Sequence, residues 1–115
     1  MARAGARCGA CGRLEKPETW EFFPLDDEAV PAVSLARAAG ESGGTAPAVY
    51  NAANEVCVDA FRRGEFSFTS IVPMVQETLS RHDVPSSGQA MTVDDVLAAD
   101  AWARDTALAL IEGTR

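Results

Sequence analysis

The sequence contains little of the chemistry from which an enzyme active site is usually assembled. Its 115 residues include one histidine, three cysteines and only 7% aromatic side chains. Sequence spacing alone supports no serine–histidine–aspartate or cysteine–histidine arrangement, and three cysteines do not make a disulfide framework. His82, at the end of a predicted helix, lies where a cation is mildly favoured, and we do not assign it as a general base. We therefore expect no catalysis from this chain by itself.

The cysteines leave two interpretations open. Cys8 and Cys11 form one C-x-x-C pair, whereas Cys57 falls within a predicted helix. The pair could be half of a metal site or a redox couple, which would make this a small metal or redox protein. The interpretation that we favour is two incidental thiols in a disordered tail. Residues 1–16 are mostly glycine, alanine and arginine and have almost nothing to bury.

Long apolar runs and positive charge are also scarce. No run approaches the roughly 20 residues of a membrane span, and the first residues lack the apolar centre of a signal peptide. The net charge is −7, and because residues 1–16 sum to +3, the remainder of the chain carries −10. Such an acidic surface repels phosphate backbones and anionic lipids. We expect a cytoplasmic protein whose folded part binds neither nucleic acid nor membranes.

Alanine is abundant, and it is the strongest intrinsic helix former. Four segments repeat apolar residues at helical spacing and are joined by short links, which predicts an all-α fold, a small four-helix bundle. The predicted helices span about 27–39, 45–63, 69–82 and 92–110. In the second, apolar residues extend so far around the axis that we expect it to be the central helix of the bundle.

The predicted helix ends follow from local signals. Asp26–Glu28 and Asp94–Asp95 place carboxylates at the positive ends of the first and fourth helices. Gly40 is expected to end the first helix, and Thr45 and Thr92 are the predicted N-caps of the second and fourth. Thr69 or Ser70 should cap the third. Helix-dipole complementation already accounts for the carboxylates, and a metal would need further oxygen ligands, so we predict no metal site.

Residues 19–25 (TWEFFPL) are aromatic and extended in character. Pro24 disfavours helix at Phe23, and the rings of Trp20, Phe22 and Phe23 are too large to leave in water without a reason. We favour an arm that packs across the domain's own helices. The alternative is an arm that docks onto something outside this chain.

The stretch that opens the second helix is the most distinctive. The Gly43–Gly44 pair, with Pro47 in the first helical turn, could bind an anion on free backbone amides. It has neither the G-x-G-x-x-G pattern nor a P-loop lysine, so we favour a structural turn. Asn51 and Glu55 share a helix face, and Asn54 lies beside them. They are either a ligand site or, as we favour, buried amides that cap a neighbouring loop or arm.

These segments together resemble a known family. The matching blocks, in order, are residues 22–28, 30–33, 35–37, 43–55, 60–61, 68–71, 93–100 and 102–104. Their order and spacing resemble the C-terminal helical domain of 1-deoxy-D-xylulose 5-phosphate reductoisomerase, particularly in its actinobacterial members. The resemblance covers about Trp20 to Ile111. We assign residues 17–115 to this domain and residues 1–16 to a tail that is not family-like.

The resemblance implies an enzyme that isomerises and reduces 1-deoxy-D-xylulose 5-phosphate to 2-C-methyl-D-erythritol 4-phosphate. In the full-length family this uses NADPH and Mg²⁺ or Mn²⁺, serves the non-mevalonate route to isoprenoids, and takes place in a homodimer. No residue here matches the family's catalytic, cofactor-binding or metal-ligating positions, because those belong to domains outside this sequence. The resemblance therefore implies a structural domain whose partner is the catalytic domain. The alternative is a stand-alone helical interaction module that pairs with a separately encoded partner.

Overall fold

A computed structural model of the chain describes residue 17, residues 19–83 and residues 90–114. These residues form four α-helices and a short 3₁₀ turn, Phe68–Ser70. The helices are α1 (Ala32–Ser42), α2 (Ala46–Arg62), α3 (Ile71–Ser80) and α4 (Val93–Gly113). The described residues contain no strand, so the predicted all-α, four-helix fold is confirmed. The predictions for the tail, including Cys8 and Cys11, lie outside the described residues.

Helix α2 is the centre of the bundle, as its wide apolar arc predicts, and it packs against each of the other three helices. Its C-terminal half joins α3 and the end of α4 in one apolar cluster. That cluster contains Ala53, Val56, Cys57, Ala60, Ile71, Met74, Val75, Ala107 and Ile111. Its N-terminal half contacts α4 in a second cluster that contains Val49, Ala52, Ala99 and Ala103. Because most of these contacts are alanine, the backbones of α2 and α4 can approach closely.

The glycine turn before α2 is required by backbone geometry. Gly43 and Gly44 have φ of 68° and 55°, in the left-handed region that other residues avoid. An added Cβ at Gly43 would meet no atom within 4 Å, so conformation and not space requires glycine there. Helix α2 begins one residue after Thr45. Both its start and its end at Arg62 agree with the sequence prediction to within one residue.

Helix α1 differs from the prediction at both ends. It begins at Ala32, because the Asp26 carboxylate accepts hydrogen bonds from the backbone N–H groups of Glu28 and Ala29, each at 3.1 Å. Those bonds hold residues 26–29 in a separate turn, so the carboxylates of residues 26–28 do not lie in the first turn of α1. The helix also continues past Gly40 to Ser42, because Gly43 adopts the positive φ at its end.

Helix caps were predicted correctly only where the cap is local. Thr92 and Asp95 form a reciprocal capping box. The Thr92 hydroxyl accepts from the Asp95 N–H at 3.2 Å, and the Asp95 carboxylate accepts from the Thr92 N–H at 2.8 Å. Ser70 stands before α3 without capping it, since its hydroxyl pairs with that of Ser67 at 2.6 Å. Thr45 likewise stands before α2 without a side-chain cap.

None of the described helices combines the length and the apolar character that a membrane span requires.

Candidate functional site

The set of polar side chains predicted on α2 links this helix to α4. Asn51 Nδ2 donates to Glu55 Oε1 at 3.0 Å, and Glu55 Oε2 accepts from Arg104 Nη2 of α4 at 2.7 Å. Arg104 Nε also donates to Asp100 Oδ2 at 2.7 Å. Asn51 and Glu55 are exposed and Asn54 is half-buried, so the expected burial of the amides is wrong for Asn51. The group connects α2 to α4 and not to a loop or to the arm.

Arg104 pairs with both carboxylates of this group, those of Glu55 and Asp100. The hydrogen bond from Arg104, followed by the one from Asn51, lowers the pKa of Glu55 below its ordinary value. Hydrogen bonds to Asp100 and then to Glu55 raise the pKa of the Arg104 guanidinium. These groups stay charged near neutral pH and have no proton to exchange there, so they do not provide acid–base catalysis. Sequence reasoning missed Arg104, although its i,i+4 spacing from Asp100 was a usable signal.

A second set of side-chain contacts links the start of α2 to the end of α3 and to α4. The hydroxyl of Thr45, which is 3% exposed, shares a hydrogen bond of 2.8 Å with His82 Nε2. The His82 ring also stacks at a tilt on Trp102 of α4, with ring centroids 5.2 Å apart. His82 follows α3, as predicted. Its described contacts are structural, because they place the start of α2 against the end of α3 and the middle of α4.

An open groove lies between the turn before α3 and the end of α4. Its volume is about 590 Å³, and Phe66, Met74 and Leu110 are among its lining residues. The charged groups along it include Arg81 and Glu77, which bind each other at 2.8 Å. The hydroxyls of Ser67 and Ser70 also line the groove, and they hydrogen-bond to each other at 2.6 Å.

The aromatic arm is extended, as predicted, but it does not pack on the bundle. Trp20, Phe22 and Phe23 are 73%, 84% and 81% exposed, so the interpretation that we favoured is wrong. The exposed apolar surface continues through Leu25 onto Val33 of α1. In α1 only Ala39 is fully buried. The exposed rings of the arm, with Leu25 and Val33 beside them, are apolar surface of a kind that marks an interaction site in folded proteins, and Asp27 and Arg37 border it.

The described residues do not fit the cofactors that the resemblance implies. No group of three or more His, Cys, Asp or Glu residues converges among them to hold a divalent cation. In that part of the chain no strand leads into the Gly43–Gly44 turn, as a dinucleotide pyrophosphate site requires. No step of a reaction is therefore assigned to a metal or to NADPH at these residues.

Comparison with known proteins identifies the family of this domain. The family model of the DXP reductoisomerase C-terminal domain matches residues 5–106. Over 98 residues the chain is 58% identical to 1-deoxy-D-xylulose 5-phosphate reductoisomerase of Kitasatospora griseola, which covers 85% of this chain and 25% of that protein. Over 112 residues it is 48% identical to the Rhodococcus jostii enzyme, covering 97% of this chain and 27% of that protein.

A solved structure agrees. The 1-deoxy-D-xylulose 5-phosphate reductoisomerase of Zymomonas mobilis, in complex with NADPH, matches with a TM-score of 0.70 at 40% identity. The match covers 80% of this chain and 24% of that one. The family-model match begins at residue 5, N-terminal of the boundary at residue 17 that the sequence predicts.

The fold and these matches define a small helical bundle that corresponds to one quarter of much longer enzymes. The chain belongs to the DXP reductoisomerase C-terminal domain family. It spans about a quarter of the length of the relatives that it matches.

Proposed function

We propose that this chain acts as the C-terminal domain of a 1-deoxy-D-xylulose 5-phosphate reductoisomerase and supports the catalytic part structurally. That enzyme would use NADPH and Mg²⁺ or Mn²⁺ to make 2-C-methyl-D-erythritol 4-phosphate in the cytoplasm, as a homodimer. The observation that carries the proposal is the family match over residues 5–106, within relatives about four times as long.

Domain replacement tests this function. In the Kitasatospora griseola enzyme, the C-terminal quarter is replaced by residues 17–115 of this chain, and NADPH oxidation is followed with substrate and Mn²⁺. We expect the chimera to be active, and we expect both the 115-residue chain and the enzyme without its C-terminal quarter to be inactive. Turnover by the 115-residue chain would contradict the structural role. A folded chimera without activity would contradict the assignment to this enzyme.

A second candidate function is a stand-alone interaction module for a separately encoded partner. The exposed arm supports it, because a surface of three large rings needs a cover. Adding the 115-residue chain in trans to the enzyme without its C-terminal quarter separates the two candidates. Recovery of activity in trans favours the module. Activity of the chimera with no recovery in trans favours the covalently linked domain.

A further inference from the structure

Residues 19–23 have no regular secondary structure, and two of their rings lie side by side. Trp20 and Phe22 lie two residues apart, and their ring centroids are separated by 6.4 Å. Residues two apart in a β-strand project on the same side, so contact between these two rings is the arrangement that a strand would give them. The backbone of residues 21–23 makes no hydrogen bond with any described residue, either in the turns and caps or through side chains.

The composition of the segment matches this geometry. Thr19, Trp20, Phe22 and Phe23 are all residues enriched in strands. Pro24 follows, and because proline lacks an N–H group it ends a hydrogen-bonded ladder. The segment 19–23 has five residues, which is about the usual strand length. Unpaired backbone groups beside exposed rings are a template for strand pairing, which folded proteins normally cover.

The bundle itself cannot provide the missing ladder. Within the described residues every regular element is a helix, so no sheet edge is present to accept the arm. Pairing of two arms from separate copies would form only a two-stranded ribbon, which is marginally stable in water. A sheet that is already formed is therefore the partner that suits the arm.

The position of the arm indicates where that sheet lies. The matched family is a C-terminal domain, and in the matched relatives about three quarters of the polypeptide lies outside the match. The preceding part therefore joins the domain at its N-terminal side, where the arm lies. We propose that residues 19–23 add as an edge strand to a β-sheet of that preceding part, with Trp20 and Phe22 covering the sheet and Val33 of α1 packing beside them. This inference rests on the proposed function.

Residue-resolved hydrogen exchange tests the strand. The chimera with the Kitasatospora griseola enzyme is compared with the 115-residue chain, which provides the matched control because none of its described residues forms a sheet that the arm could join. Alternate backbone N–H groups of a strand point to the same neighbour. We therefore expect alternate amides within residues 21–23 to exchange roughly a hundredfold or more slowly in the chimera, and the amide between them to be little changed.

Proline substitutions test the same ladder by a second route. Glu21→Pro is compared with Glu21→Ala, and Phe22→Pro with Phe22→Ala. Both members of a pair lose the same side chain, so any difference between them is due to the proline. In one of the two pairs the proline removes a ladder hydrogen bond. We expect the protection of the remaining arm amides from exchange to be roughly tenfold lower in that proline variant than in its alanine counterpart. In the other pair the replaced N–H faces away, so proline and alanine should behave alike.

The outcomes separate the strand from the proposed function. An active chimera with alternating protection supports both. An active chimera whose arm amides exchange as fast as in the 115-residue chain, with both prolines tolerated, overturns the strand and leaves the function. Alternating protection without activity supports the strand and overturns the function. A chimera with neither activity nor protection overturns both.

Discussion

The contact between α2 and α4 depends on small side chains, so enlarging one of them tests the packing directly. Ala103 of α4 is completely buried in the cluster that contains Val49 and Ala52 of α2. In Ala103→Leu, three added carbons would contribute about 2.4 kcal/mol of apolar burial if space existed. The interior is close-packed, however, and an added side chain there typically costs about 1–3 kcal/mol net.

We expect Ala103→Leu to destabilise the chain by about 2 kcal/mol, because α4 must move away from α2 along the whole alanine contact. For a domain of this size, that corresponds to a fall in Tm of about 8–16 °C. Thermal and urea unfolding followed by circular dichroism measure the change. Ala101→Leu is the matched control, since Ala101 lies two residues earlier on the exposed side of α4. It should change stability by no more than about 0.5 kcal/mol.

Glycine variants test the same contact in the opposite direction. Glycine costs about 1 kcal/mol at either exposed or buried helical positions. Ala103→Gly also removes a buried methyl group, so it should cost about 0.8 kcal/mol more than Ala101→Gly. If the leucine variants at 101 and 103 unfold at the same temperature, and the glycine variants do too, alanine packing does not determine the spacing of α2 and α4. Close packing of Ala103 against α2 would then be refuted.

Three further predictions concern single side chains. Thr92→Ala removes the N-cap of α4 and should cost about 1 kcal/mol in urea unfolding; an unchanged midpoint would contradict the role of the cap. Burial raises the pKa of the Cys57 thiol to about 11, so peptide mapping should find it alkylated slowly in the native chain and rapidly in urea. Rapid native alkylation would contradict its burial. The lowered pKa of Glu55 gives stability that is present above its ordinary value of 4.5 and lost as the pH falls through the lowered value. Glu55→Gln should therefore lose less stability than the parent between about pH 7 and pH 3, and equal losses would refute the pairing with Arg104.

Local sequence signals predicted the helices well, because each signal acts within one turn of the chain. Thr92 and Asp95 are three residues apart, so their capping box forms without help from the rest of the fold. The backbone at the end of α1 takes a positive φ, and Gly43 is the residue that adopts it. From the sequence, this conformation could be assigned only to one of the nearby glycines. Gly40 was the wrong choice, since both glycines carry the same local signal and only the geometry of the turn into α2 distinguishes them.

Contacts between distant residues could not be predicted in the same way. Glu55 and Arg104 are 49 residues apart, and Thr45 and His82 are 37 apart. Which side chains meet depends on how α2, α3 and α4 cross, and many crossings bury a similar apolar area. The arm was misassigned for a related reason. The sequence of residues 19–23 shows that large rings need a cover, but it does not show which surface provides one.

The sequence by itself determined the all-α class, the approximate positions of four helices, the central place of α2 and the family to which the chain belongs. These follow from apolar periodicity, caps and residue order, which are all readable along the chain. Only the tertiary structure decided that Asn51 and Glu55 join α2 to α4 and that the arm stays exposed. The physical reason is that helix formation is governed by neighbours within a few residues, whereas side-chain partners and exposed surfaces depend on how the completed helices pack.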